Sequence, residues 1–337
     1  MTESIRNAVE ILRAGGLVAI PTETVYGLAA DATNASAVQR IFEAKGRPST
    51  NPLIVHVADA NIARRYARQW PQAAQALAER FWPGPLTLVV PRSKAIVPQV
   101  TAGLDSVGLR APDHPLALQL LRAFDGPLAA PSANRSNRIS PTTAEHVKRE
   151  LGDAVGQVLD GGPCRVGIES TVLDLTRDRP AILRPGAITR DQIVAILGPV
   201  ELQTAADASD RPARSPGRQP VHYAPATPAY RFASGDMPQV IAWRRTHLKK
   251  RAAFLLLHST AAAGAVAPLI NESDVLVPLP SMPVDYAREL YSQLRRADAL
   301  GVDALFIELP PDEAQWAAVR DRVWRATRSL SDIEQFK

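Results

Sequence analysis

The sequence predicts two α/β domains: a larger N-terminal one built on a twisted mixed sheet flanked by helices, and a smaller C-terminal one. Three observations carry this. At 337 residues the chain is long for one core and short for three. Up to about residue 200, short apolar runs and helical periods interleave without a simple βαβ repeat. From Glu201 to Pro228 the periodicity stops, and beyond it strands alternate regularly with helices. The boundaries are therefore drawn at 1–200, a linker at 201–228, and 229–337.

Each element has a local cause. Ile5, Val9 and Leu12 share one face of a helix over Glu3–Arg13, stopped by Gly15-Gly16. Leu17–Ile20 follows as a strand. Asn34 caps a helix running to about Ala44, and Pro52–Val57 is a short apolar strand. The Ala-rich stretch Ala60–Arg80 is helical, broken at Pro71. Strands at Leu86–Val90 and Ser106–Arg110, a helix at Leu116–Phe124 and a strand at Leu128–Ala130 come next. Ser140-Pro141 pairs an N-cap with a first-turn proline, predicting a helix from there to Leu151. Strands at Val155–Leu159, Thr171–Leu175 and Ala181–Leu183 and a helix at Asp191–Leu197 close the domain. The C-terminal strands are Ala229–Phe232, Ala253–His258, Val275–Pro278 and Ala304–Leu309. Helices near Met237–Lys250, Val284–Leu300 and Glu313–Ser329 separate them, a doubly wound, Rossmann-like pattern.

Composition narrows the function. A net charge of +5 favours anionic partners such as nucleotides or RNA, although solubility alone could account for so modest an excess. The single cysteine, Cys164, excludes a disulfide framework and any Cys-based zinc site, and fits a cytoplasmic location. No apolar run approaches the ~20 residues that span a bilayer, so no membrane role is expected. The N-terminus lacks the apolar stretch of a signal peptide.

Four polar clusters interrupt the apolar pattern at strand ends, where open α/β sheets bind ligands: PTETVYG (21–27), KGRPSTNPL (45–53), APSANRSN (130–137) and GIEST (167–171), with LRPG (183–186) behind them. Lys45 and Arg47, two apart on a turn, can address one anion, Arg47 as a fork and Lys45 as a point charge. The alternative is a solvated basic loop. Ser132, Asn134, Ser136 and Asn137 follow a strand, with Ser140 at a helix start where exposed N–H groups suit a phosphate; an Asx/Ser turn reads equally well. Thr22, Thr24 and Tyr26 can orient a polar ligand or cap their own turn. Arg110 ends an apolar strand and needs a carboxylate or phosphate, because a buried unpaired charge is costly. His56 ends another strand, where a histidine is more often a hydrogen-bonded structural residue than a base. No P-loop, G-x-G-x-x-G, G-x-S-x-G elbow or His/Glu metal motif occurs.

In order, PTETVYGLAADA, KGRPSTNPLIVHV, FWPGPLTLVV, VGLRAPDHP, APSANRSN, DGG, GIESTVLDL and ILRPGAIT span about Ala19 to Ile188. The ordered set resembles the YrdC-like family, in particular its two-domain threonylcarbamoyl-AMP synthases, and SPGRQPVHYAP (215–225) resembles the linker motif of those members. The resemblance implies a nucleotidyltransferase that uses ATP, L-threonine and bicarbonate. It would make threonylcarbamoyl-AMP and pyrophosphate, with Mg2+ on the ATP phosphates and a downstream tRNA threonylcarbamoyl transferase as consumer. Carried over by motif, Thr24, His56, Arg110, Ala130 (through its backbone) and Ser170 surround threonine. Arg47, Asn51, Ser106, Ser132, Asn134, Ser140 and Arg184 hold ATP, Lys45 and Arg47 supply catalytic charge, and Tyr223 reaches back over the nucleotide. Two departures stand out: Thr50 where an acidic residue is common, and Arg218-Gln219-Pro220-Val221 where many members are more basic.

Two rival classes are weaker. An RNA-binding module would need an aromatic stacking set beside its basic residues, which are dispersed here; weak RNA binding stays an expectation. The YrdC-like part of a hydrogenase-maturation carbamoyltransferase would need Cys-rich zinc segments.

Overall fold

The computed structural model describes residues 2–203, 223–258 and 274–335. The chain forms two compact units: Met1–Ser136 with Ser140–Arg218, and Asn137–Ile139 with Gln219–Lys337. Most of the expected linker, including His222 and the greater part of the 215–225 motif, lies outside the described residues.

The first unit runs α1 (Glu3–Arg13), β1 (Val18–Ile20), β2 (Gly27–Asp31), α2 (Ala35–Lys45), β3 (Ile54–His56), α3 (Ala60–Tyr66), α4 (Gln72–Phe81), β4 (Leu86–Pro91) and β5 (Ser106–Arg110). It continues with α5 (Pro115–Phe124), β6 (Leu128–Ala129), α6 (Ala144–Leu151), β7 (Gln157–Val158), β8 (Thr171–Asp174), β9 (Ala181–Arg184), α7 (Arg190–Leu197) and β10 (Glu201–Leu202). Ten strands form one mixed sheet, ordered β10-β9-β8-β4-β5-β3-β6-β2-β1-β7. Asn34 caps α2 as expected, and Pro71 separates α3 from α4.

Two-residue alternation sorts the strands onto two faces. Leu28, Val55, Leu88, Leu109 and Leu173 join the main core with α2, α4 and α6. On the opposite face, Val18, Ile20 and Leu128 pack under α1 and α5. The rest of that face carries only a small cluster of Ile54, Val89, Val172 and Leu183, to which no helix contributes. Gly108, paired with Ile54 and Val89, sits among them without a side chain. All four of these residues are buried, at 8% exposure or less.

The structure corrects three expectations. The helix predicted from Ser140-Pro141 begins at Ala144, with Thr143 Oγ1 accepting from His146 N. Ser140 lies outside the helix, and its hydroxyl donates to Glu169 Oε1 at 2.6 Å. Gly27–Asp31, poor in β-branched residues and without a strand signal, pairs with β1. The last predicted helix ends at Ala326, and Arg328–Ser329 forms a short strand instead.

The second unit runs β11 (Ala229–Phe232), α8 (Met237–Thr246), β12 (Ala252–Leu257), β13 (Val275–Leu279), α9 (Pro283–Asp298), β14 (Ala304–Glu308), α10 (Ala317–Ala326) and β15 (Arg328–Ser329). Its five strands are all parallel, ordered β13-β12-β14-β11-β15, around an aromatic core of Tyr230, Phe232, Trp243, Phe254 and Phe306. Among the described residues no helix is long and apolar enough to cross a membrane.

Candidate functional site

The 21–27, 130–137 and 167–171 clusters meet at one end of the sheet, and the 45–53 cluster leads into the start of β3. His56 lies opposite Arg110 across the β3–β5 pair, and Val172 opposite Arg184 across β8–β9. Pro85 O accepts from Thr171 N, joining the start of β4 to the start of β8. Tyr26 N donates to Pro141 O and Ala133 N to Tyr26 O, stitching the 21–27 loop to the 130–141 loop. Ala130 N donates to Ile54 O, bringing that second loop against β3.

Lys45 and Arg47 are not a solvated basic turn. Both are buried, at 2% and 7% exposure. Gly46 closes α2 in a left-handed conformation, φ 59°, which turns the chain between them. Lys45 Nζ donates to Ser132 O at 2.5 Å and to Asn134 O, so it builds the 132–134 turn as well as charging it. Burial, with Arg47 nearby, holds its ammonium well below the usual lysine range. Arg47 donates through Nε to Asn51 O and through Nη2 to Pro52 O. The side chain thereby braces the Asn51 loop, and Asn51 is itself buried.

Arg110 is buried at the end of β5. Its Nε donates to Gly84 O at 3.2 Å, and its Nη2 stands 2.8 Å from Glu23 Oε2 without making a directed hydrogen bond. Glu23 Oε2 also accepts from Asp113 N, while Glu23 Oε1 and His56 Nδ1 have no hydrogen-bond partner. Burial, reinforced by the Arg110 charge, pushes the His56 imidazole down to about 3, so the ring is neutral at ordinary pH.

Ser170 is the hinge of the third group. Its Oγ lies 2.8 Å from Thr87 Oγ1, and it accepts from Arg184 Nη2 at 3.2 Å, while Arg184 Nε donates to Ser170 O. Thr24 is fully buried, its hydroxyl 2.9 Å from that of Thr22. Ser106 lies at the opposite end of β5 from Arg110, lining a cleft with Pro52, Ile54, Thr87, Gly108 and Val172. Four basic side chains of these loops, Lys45, Arg47, Arg110 and Arg184, are buried, as are the carboxylates Glu23 and Glu169. The excess positive charge suits an anionic ligand.

Comparison with known proteins places this arrangement. Residues 10–186 match a family model described as Telomere recombination, and residues 188–327 one described as Threonylcarbamoyl-AMP synthase, C-terminal domain. The chain is 42% identical over 325 residues to a threonylcarbamoyl-AMP synthase of Bacillus subtilis, covering 96% of this chain and 92% of that protein. It is 38% identical over 327 residues to the Pyrococcus abyssi enzyme of that name, covering 96% and 94%. The chain belongs to the threonylcarbamoyl-AMP synthase family. The crystal structure of P. abyssi Sua5 complexed with L-threonine matches with a TM-score of 0.86 at 37% identity, over 96% of this chain and 95% of that one.

Within this family frame, Thr24, Lys45, Arg47, Asn51, His56, Arg110, Ala130, Ser132, Asn134, Ser140, Ser170 and Arg184 all lie in the linked loops and strand ends described above, with Ser106 farther along the sheet. Tyr223 belongs to the second unit. It is buried there, its ring 5.6 Å from that of Tyr291 and beneath the Arg322 guanidinium. Three residues that sequence reasoning left unassigned are built into the site: Glu23, Thr87 and Glu169. Glu23 and Glu169 stood inside the motif strings, but nothing in a loop's sequence marks a carboxylate as buried. Thr87 also stood inside a motif string, FWPGPLTLVV, but its partner lies 83 positions away.

Proposed function

We propose that the chain makes L-threonylcarbamoyl-AMP from L-threonine, bicarbonate and ATP with release of pyrophosphate, the first step of threonylcarbamoyladenosine modification of tRNA. The observation that carries this reading is the buried Arg110 guanidinium, whose Nη2 stands 2.8 Å from Glu23 Oε2 without a directed hydrogen bond, beside the buried His56 ring. A buried guanidinium with donor capacity left over points to a further anionic group. Beside a neutral imidazole it suits the carboxylate of a free amino acid. Arg110 takes the threonine carboxylate; Thr24, Ser170 and the Ala130 backbone complete that side.

ATP is placed by the family motifs between the Arg47–Asn51 loop and Arg184. Its base end approaches Ser106 and Asn51, and its phosphates approach Arg47, Lys45, Ser132, Asn134, Ser140 and Arg184. Tyr223 is assigned to the nucleotide by the family motif alone. Once the threonine ammonium has lost a proton to solvent, the free amine attacks the bicarbonate carbon and water departs; a carbamate oxygen then bonds to the α-phosphorus as the bridging oxygen leaves with pyrophosphate. This transfer needs alignment and charge neutralisation rather than an enzyme nucleophile. Mg2+ enters on the ATP phosphates, as is usual for a cation that rarely has an all-protein cage; Glu23 and Glu169, the nearby buried carboxylates, already serve Arg110 and Ser140. A cytoplasmic setting supplies these substrates.

Pyrophosphate release on mixing the protein with threonine, bicarbonate and MgATP tests the reading. Release that depends on all three supports it. Salt-sensitive RNA binding without threonine-dependent turnover would replace it with the binding-module reading.

A further inference from the structure

We propose that Glu23 is a positioning residue that sets the affinity for threonine by holding the Arg110 guanidinium; the inference rests on the assignment of Arg110 to the threonine carboxylate. The carboxylate is held rigidly. Glu23 O accepts from Val166 N at 2.8 Å, and Glu23 Oε2 accepts from Asp113 N at 3.1 Å. On the flanking turn, Thr22 Oγ1 donates to Val25 O at 2.6 Å. Arg110, in contrast, has a long side chain with high rotamer entropy. Among the described residues, Gly84 O and Glu23 Oε2 locate its head.

The contact has a particular form. Nη2 is 2.8 Å from Oε2, so the charges are balanced, yet its hydrogens make no directed hydrogen bond. Arg110 is thus compensated electrostatically while its N–H groups keep capacity for a second carboxylate. A zwitterion adds no net charge to such a pair, so threonine can join without breaking it. Without the Glu23 charge, a guanidinium at 4% exposure would be stranded in a low-dielectric site and would turn toward other acceptors. Affinity for threonine would fall, and the nucleotide half of the site would be little affected.

An opposite result is physically possible, which makes the inference decisive. If Glu23 merely competed for the guanidinium, removing its charge would tighten threonine binding. The test compares the full-length protein with Glu23→Gln, Glu23→Asp and Arg110→Lys, measuring pyrophosphate release, threonine binding by calorimetry, and thermal melts. Glu23→Gln is expected to raise the threonine KM about tenfold while leaving the ATP KM within about twofold and kcat at saturating threonine within about threefold. Glu23→Asp, which keeps the charge, recovers part of that loss. An unchanged or lowered threonine KM in Glu23→Gln overturns the proposal. So does a parallel rise in both KM values, or loss of the native melt in both Glu23 variants, since either makes the residue structural. If Arg110→Lys leaves the threonine KM unchanged, the assignment of Arg110 fails. An inert Glu23→Gln beside an impaired Arg110→Lys removes Glu23 alone.

Discussion

Arg184 Nη2 donates to Ser170 Oγ at 3.2 Å, so the arginine assigned to the nucleotide and the serine assigned to threonine share one hydrogen bond. Thr87 Oγ1 reaches the same oxygen from the neighbouring strand. Ser170→Ala removes this common partner. The threonine and ATP KM values should both rise, each by about fivefold, and stability should fall by about 1–2 kcal/mol because two buried groups lose a partner. Initial-rate kinetics with each substrate varied in turn would check this, and a change confined to one substrate would refute the coupling.

His56 predicts a direction for acid sensitivity. Its ring titrates at about 3 in the folded protein, against about 6.5 when unfolded. Between these values the unfolded chain binds the extra proton, so stability rises with pH through the window and is lost as pH falls. The slope is at most ~1.4 kcal/mol per pH unit. Urea denaturation of the wild type should therefore lose about 2 kcal/mol more between pH 7 and pH 5 than His56→Gln does. Equal losses in the two proteins would show that His56 is not buried as a neutral ring.

Lys45 is both a charge and a strut. Lys45→Met leaves Ser132 O and Asn134 O without the ammonium that joins them. Stability should drop by about 1–3 kcal/mol, and turnover by about 100-fold or more, since the same turn carries Ser132 and Asn134. A variant with wild-type melting and turnover would remove Lys45 from both roles.

Gly186 permits the close approach of the LRPG turn to the Ser170–Thr171 backbone. A methyl group added there would stand 2.3 Å from Thr171 N and 2.6 Å from Ser170 C. Backbone must move to accept it, so Gly186→Ala should cost about 3 kcal/mol and raise both KM values through Ser170 and Arg184. Differential scanning calorimetry with parallel kinetics would detect it; a silent substitution would mean the turn adjusts freely.

Regular elements were the legible part of this chain. Helix α1, the Asn34 cap and the Pro71 break each follow from side chains within one turn of their effect. The Ser140-Pro141 signal misled because Thr143, three residues on, supplies the cap by accepting from His146 N, while the Ser140 hydroxyl donates to Glu169. Strand β2 was missed because Gly-Leu-Ala-Ala-Asp has little intrinsic strand preference; its neighbours β1 and β6 impose the conformation.

By itself the sequence determined the two α/β domains and the loops that hold the polar groups, because periodicity, caps and turn residues act over a few positions. It also marked Arg110 as a cation in need of a partner, and left Lys45 and Arg47 open between an anion site and a solvated loop. The tertiary structure alone decided which partners the buried cations have: Lys45 takes carbonyls 87 and 89 residues away, Arg110 takes Glu23, and Arg184 takes Ser170. Burial, hydrogen-bond direction and charge balance arise from how strands are ordered in a sheet, and that order is set by long-range pairing which no local window of residues contains.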